Sequence, residues 1–196
     1  MIKNLLIATI ALTSLSAFAA NKEAKAEKVE ADASTSKVVW VGKKVTGQHT
    51  GEVKVTNGFL NFEKNALKGG EFEVDMSSIT NTDIGDKEMH DKLLGHLSSP
   101  DFFNTAEFKT SKLVIKSVKK EKAANTYKVT GDLTIKGKSN SVTFDAVATK
   151  EQATGKIVFD RTKYDIKYGS GKFFEGLGDK MINDDVELNI TLVAKK

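Results

Sequence analysis

The chain has no cysteine. No disulfide can therefore brace the fold, and no thiol follows the N-terminal apolar stretch to accept a lipid anchor. Stability has to come from packing. Histidine is almost as scarce: His49, His90 and His96 are the only three. His90 and His96 stand six apart, on different faces of any helix that carries both, so they form no metal-binding pair. After Leu15 no apolar run approaches the roughly 20 residues that a membrane-spanning helix requires. One-sided charge is lacking too. The 30 basic and 26 acidic residues are interleaved, as in Glu71/Glu73/Asp75 and Lys116/Lys119/Lys120. No basic block carries aromatic residues between its charges, which argues against a nucleic-acid partner. Two short motifs look catalytic but lack the context. Gly131 to Ser139 ends in Gly-Lys-Ser, yet it has one residue too many between its glycines and precedes no helical pattern. Gly169-Ser170-Gly171 lacks the spacing of a nucleophile elbow. The reading therefore contains no enzyme, no metal site and no cofactor.

What is present begins with an export signal. Met1 to Asn4 gives a positive start, Leu5 to Leu15 an apolar run, and Ala17-Phe18-Ala19 small residues at the spacing a signal peptidase reads. Residues 1–19 are thus expected to be a signal peptide and the periplasm the destination. Residues 20–36, rich in Ala, Lys and Glu with little apolar surface, read as a flexible leader. Residues 37–196 are long enough for one substantial core, hence one domain.

From Lys37 onward the hydrophobic period is two. Phe72, Val74 and Met76 alternate with Glu71, Glu73 and Asp75; the same alternation runs through Tyr127 to Ile135 and through Val186 to Leu192. Shorter versions lie at 38–45, 51–55, 58–62, 106–118, 142–148 and 155–159, giving about eight or nine strands, each with one dry face. Asn57-Gly58, Lys68-Gly69-Gly70, Lys136-Gly137-Lys138 and Thr154-Gly155 supply turn chemistry between them. The fold class is all-β and antiparallel. Such strands either stack as two sheets or close into a barrel, and the pattern alone leaves both open. One segment departs from it. Asp86 to Leu97 places Met89, Leu93 and Leu97 four apart and ends at Ser98-Ser99-Pro100, which predicts a short amphipathic helix that runs into Phe102-Phe103 and covers one end of the strands. The inward members of the alternation are Trp40, Phe72, Val74, Phe108 and Val129, then Phe144, Ile157, Phe159 and Leu188. Leu93, Leu97, Phe102 and Phe103 stand at the covered end.

Three stretches carry a family resemblance: His96-Leu97-Ser98-Ser99-Pro100-Asp101-Phe102-Phe103, Val129-Thr130-Gly131-Asp132-Leu133-Thr134-Ile135-Lys136-Gly137, and Asp160-Arg161-Thr162-Lys163-Tyr164 followed by Gly169-Ser170-Gly171. In this order and spacing they resemble the YceI-like polyisoprenoid-binding proteins. The resemblance implies a lipocalin-like antiparallel barrel of eight strands with one short α-helix covering an end, holding a long-chain isoprenoid (polyprenyl or quinone type) in its lumen. The inward residues above would then line the ligand, and Lys44 or Arg161 would meet its head group. The energetic scale is sufficient, since enclosing ten chain carbons is worth roughly 8 kcal/mol before ordering costs. On this reading the protein is a periplasmic carrier, with transient membrane contact and a homodimer as further associations left open. Its alternative is a non-catalytic, stress-related or partner-binding protein with a filled core.

Overall fold

The computed structural model describes residues 26–196; the expected signal peptide lies outside the described residues. Strand β1 (Glu27–Glu30) is followed by β2 (Lys37–Lys44), β3 (Gly47–Glu63), β4 (Ala66–Asp75), helix α1 (Lys87–Ser98), β5 (Thr110–Lys120), β6 (Thr126–Ile135), β7 (Lys138–Ala148), β8 (Gln152–Asp160) and β9 (Ile182–Val193). From β2 to β9 every strand pairs antiparallel with its chain neighbour, and β9 returns to pair with β2, setting Leu188 opposite Trp40. Eight strands thereby close into a barrel. Alternation dictates its interior: Leu113, Val129, Ile157 and Ile190 are buried while Lys112, Lys128, Lys156 and Asn189 face outward.

Strand β3 is seventeen residues long and needs four partners. On one edge β2 covers its first half and β1 its second, with Val29 opposite Leu60. On the other edge β4 pairs only from Lys54 onward. The remainder is met by a polar strap, residues 78–84: Thr80 N–H donates to the Glu52 carbonyl (2.9 Å) and Thr82 N–H to the Thr50 carbonyl (2.9 Å). The Thr50 N–H is capped by the Asp83 carboxylate at 2.8 Å. Glu27–Glu30, expected within a flexible leader, is therefore ordered as β1. Its backbone satisfies an otherwise bare edge, which a polar sequence does as well as an apolar one.

The strap lies so close to β3 that a Cβ on Gly51 would sit 1.8 Å from the Thr80 carbonyl oxygen. That carbonyl also accepts from Trp40 Nε1 at 3.1 Å. Gly51→Ala is expected to push the strap off, costing about 2–3 kcal/mol, with amide hydrogen exchange accelerating at Thr80 and Thr82.

Three expected turns are internal to strands. Asn57-Gly58 lies inside β3 just past a bulge at Thr56, where the register shifts between Val55 and Asn57. Glycine is needed there because a Cβ on Gly58 would meet Phe72 Cβ at 2.6 Å. Gly69 and Gly70 lie inside β4; the β3–β4 turn falls instead at Lys64-Asn65, both with positive φ. Thr154-Gly155 is likewise within β8, whereas Lys136-Gly137 forms the two-residue β6–β7 turn as expected.

Helix α1 is N-capped by the Asp86 carboxylate, which accepts from Met89 N–H. It packs Leu93, Leu94 and Leu97 on the barrel end. Met89, expected on the same stripe, is exposed, so the packed face begins only at Leu93. At this same end the wall is imperfect. β7 and β8 pair only from Ala146 to Ala148 and then diverge. A 3₁₀ turn at Arg161–Tyr164 fills the wedge, with Asn140 Nδ2 donating to the Lys163 carbonyl (3.1 Å) and Tyr164 and Ile166 fully buried.

Candidate functional site

A cavity of about 170 Å³ lies beneath α1, and a smaller one of about 30 Å³ lies deeper in the lumen. Phe72, Leu113 and Ile190 border both, forming a waist between them. A dry cavity of about 150 Å³ in a protein core admits benzene. The upper chamber is thus ring-sized, and it opens at the rim beside Lys44 and His49.

The inward residues expected from the sequence divide between the chambers. Trp40, Phe72, Val74, Ile157, Phe159 and Leu188 line the upper one from the strands, and Leu93, Leu97, Phe102 and Phe103 close it from the helix side. Val129 and Phe144 line the lower one. Phe108 borders neither. It was expected on a strand starting at Ala106, but hydrogen bonds from Glu107 and Phe108 N–H to the Asn104 carbonyl keep this stretch turning until β5 begins at Thr110. Its ring packs beneath the β6–β7 turn, where a Cβ on Gly137 would lie 2.9 Å away.

Arg161 was the second head-group candidate, and the structure assigns it otherwise. The side chain is 1 % exposed. It donates from Nε to the Asn183 carbonyl (3.0 Å), from Nη1 to the Ile166 and Tyr168 carbonyls (both 2.8 Å), and from Nη2 to the Ile182 carbonyl (3.0 Å) and the Asp184 carboxylate (3.5 Å). With its donors engaged, it has none left for a ligand. Burial lowers its pKa from the ordinary value, an effect that Asp184 and Asp160 oppose. Asp184 is shared with Lys172 at 3.1 Å. The result is a staple that ties the end of β8 to the start of β9 and to the loop between them.

Other cations near the chamber are also engaged. Lys43 pairs with Glu187, which Lys156 holds from the other side at 2.7 Å. Lys156 and Lys43 together pull the Glu187 carboxyl down to about 2. Lys112 pairs with Glu71 at 3.0 Å. Lys44, exposed at the mouth, has no ion pair among the described residues.

Two polar side chains that sequence reasoning missed are unsatisfied in the chamber wall. His96 Nε2 and Ser111 Oγ are buried with no hydrogen-bond partner, and both residues line the upper cavity. The His96 ring is held between Phe102 (5.2 Å) and Tyr168 (4.4 Å), edge to face with each. Its spacing gave a usable signal, since His96 stands three residues after Leu93 on the packed face of α1. Ser111 gave none: a serine on the inner face of a strand looks like a break in the pattern.

A family profile described as "YceI-like domain" matches residues 30–194, the whole closed barrel together with the end of β1. The chain belongs to the YceI-like domain family. Curated relatives include the UPF0312 proteins of Staphylococcus aureus strains USA300 and NCTC 8325 / PS 47, each 38% identical over 103 residues, covering 47% of this chain and 55% of the relative. The chain thus spans about half the length of the curated relatives it matches. Among solved structures, BcnA of Burkholderia cenocepacia superposes with a TM-score of 0.65 at 24% identity, covering 84% of this chain and 99% of that one. A polyisoprenoid binding domain from Saccharophagus degradans, implicated in plant cell wall breakdown, superposes at 0.55 with 14% identity, covering 87% and 99%. At these identities the superpositions speak for the fold: the YceI-like barrel of this chain is the one these proteins share.

Proposed function

We propose that this YceI-like barrel is a non-catalytic periplasmic carrier for an isoprenoid lipid whose head is neutral and carries a carbonyl or hydroxyl oxygen, as in a prenylated quinone or quinol. The observation that carries this reading is the pair His96 Nε2 and Ser111 Oγ, unpartnered in an otherwise apolar chamber. An unmade buried hydrogen bond costs about 1–3 kcal/mol, and a ligand oxygen that reaches either group recovers it. Imidazole and hydroxyl can each donate or accept, so the pair suits either oxidation state of a quinone ring. A phosphorylated head within the chamber is disfavoured because Arg161, Lys43 and Lys112 are already engaged, Lys44 is exposed at the mouth, and burying an uncompensated phosphate is costly. The ring then occupies the upper chamber and the tail descends toward the Phe72 waist. A filled-core interaction protein has no use for such a chamber.

Trp40, the single tryptophan, lines the cavity and reports occupancy through its fluorescence. The protein is to be titrated with a prenylquinone, a prenyl diphosphate and a prenyl hydrocarbon of matched chain length. The quinone binds tightest. His96→Phe and Ser111→Ala each weaken it roughly three- to tenfold while leaving the hydrocarbon unchanged. Equal affinity for the three ligands would remove the neutral-head reading, and failure to bind any of them would return the protein to the partner-binding alternative.

A further inference from the structure

Seven large apolar side chains are markedly exposed among the described residues, and their distribution is lopsided. Val147 and Val158 lie apart on the outer wall, on β7 and β8. The other five gather at the capped end: Val45 in the β2–β3 turn, Met89 on the first turn of α1, and Tyr168, Phe173 and Phe174 in the loop between β8 and β9. Packing holds that loop to the mouth. The Tyr168 ring lies against His96, Gly169 accepts at 2.8 Å from the N–H of Ile182, a cavity-lining residue, and Val45 N–H donates to the Met181 carbonyl at 3.3 Å. Phe173 and Phe174 are each 49% exposed, although the ring of Phe173 has Lys167 Nζ above it at 5.2 Å from the centroid. Lys44, Lys163 and Lys180, in the same region, have no ion pair among the described residues.

We infer that this rim is a docking surface for a lipid bilayer containing anionic lipid, and that the chamber is loaded and emptied while the rim rests on the membrane. Aromatic side chains beside lysines are the composition that seats at the boundary between headgroups and acyl chains. The bilayer is favoured over a protein partner because the exposed apolar groups surround the mouth of a lipid-sized apolar cavity, so that docking joins the two apolar phases across the opening. The lysines without acidic partners supply attraction to anionic headgroups. Glu175 and Asp179 in the same loop temper it, which suits a contact that must be released. Phe173 and Phe174 themselves do not line the chamber.

The inference rests on the carrier reading, and its test separates the two. Purified protein is to be floated with vesicles of phosphatidylethanolamine and phosphatidylglycerol, and in parallel with vesicles of phosphatidylcholine alone. The wild type co-floats with the anionic vesicles and less with the neutral ones. Phe173→Ser combined with Phe174→Ser lowers the bound fraction about tenfold and slows quinone uptake from vesicles, yet leaves quinone affinity in free solution unchanged. Val147→Ser combined with Val158→Ser, on the outer wall, changes neither. Failure of the wild type to float, or flotation of the Phe173/Phe174 variant at the wild-type level, overturns the docking surface. Loss of solution binding with flotation intact strikes the carrier reading instead.

Discussion

Replacing Arg161 by methionine lowers the thermal midpoint by roughly 10 °C or more, as followed by far-ultraviolet circular dichroism. The substitution keeps the volume and removes the donors, so the Asn183, Ile166, Tyr168 and Ile182 carbonyls lose their partner together. Asp184 retains Lys172. Buried acceptors left unpaired cost about 1–3 kcal/mol each, and partial relaxation with water entry brings the expected sum to about 4 kcal/mol. A domain of this size loses about 2–4 °C per kcal/mol. Arg161→Lys recovers only part of the loss, because one ammonium with three donors cannot reach carbonyls spread over Ile166 to Asn183. A head-group role would predict the opposite pattern, an unchanged midpoint with weakened ligand binding.

Phe72→Ala is the second large effect, and its two consequences diverge. Truncating a buried phenylalanine costs about 3–5 kcal/mol. Because Phe72 borders both chambers, its removal also joins them into one continuous lumen. In the wild type, affinity for a series of prenylquinones rises with chain length and levels off once the tail reaches the waist. In the variant the rise continues through additional isoprene units, each added methylene being worth about 0.8 kcal/mol when enclosed. Trp40 fluorescence titrations across the series distinguish this from a plateau unchanged by the substitution, which would mean that the tail never reaches Phe72.

Much of the barrel was legible because alternation is a backbone rule: Phe72, Val74, Val129 and Leu188 face inward wherever the sheet curves. Closure was not legible, since a sandwich demands the same period. The strap at residues 78–84 left no periodic trace either. It is held by carbonyls and by the Asp83 and Thr80 side chains, and nothing in Ser-Ile-Thr-Asn-Thr-Asp marks which strand edge it will cover. Glycines misled in a consistent way. Gly58 and Gly70 were read as turn residues but serve close approach of strands, a need set by tertiary packing. Arg161 misled for a similar reason, because a lone arginine in a β-rich sequence gives no hint that five acceptors will converge on it.

The strand that completes the ring is also the last of the nine described strands to be synthesised. β2, near the start of the domain, waits for β9, so the decisive ladder joins residues separated by almost the entire barrel. High contact order of this kind makes folding slow and late. A chain that stops short of Ile182 is an open sheet with β2 and β8 as sticky margins rather than a smaller barrel. Premature termination before β9 or clipping within it should therefore yield aggregates instead of a weakened binder, and a factor that holds the chain until β9 is available would act on those two margins.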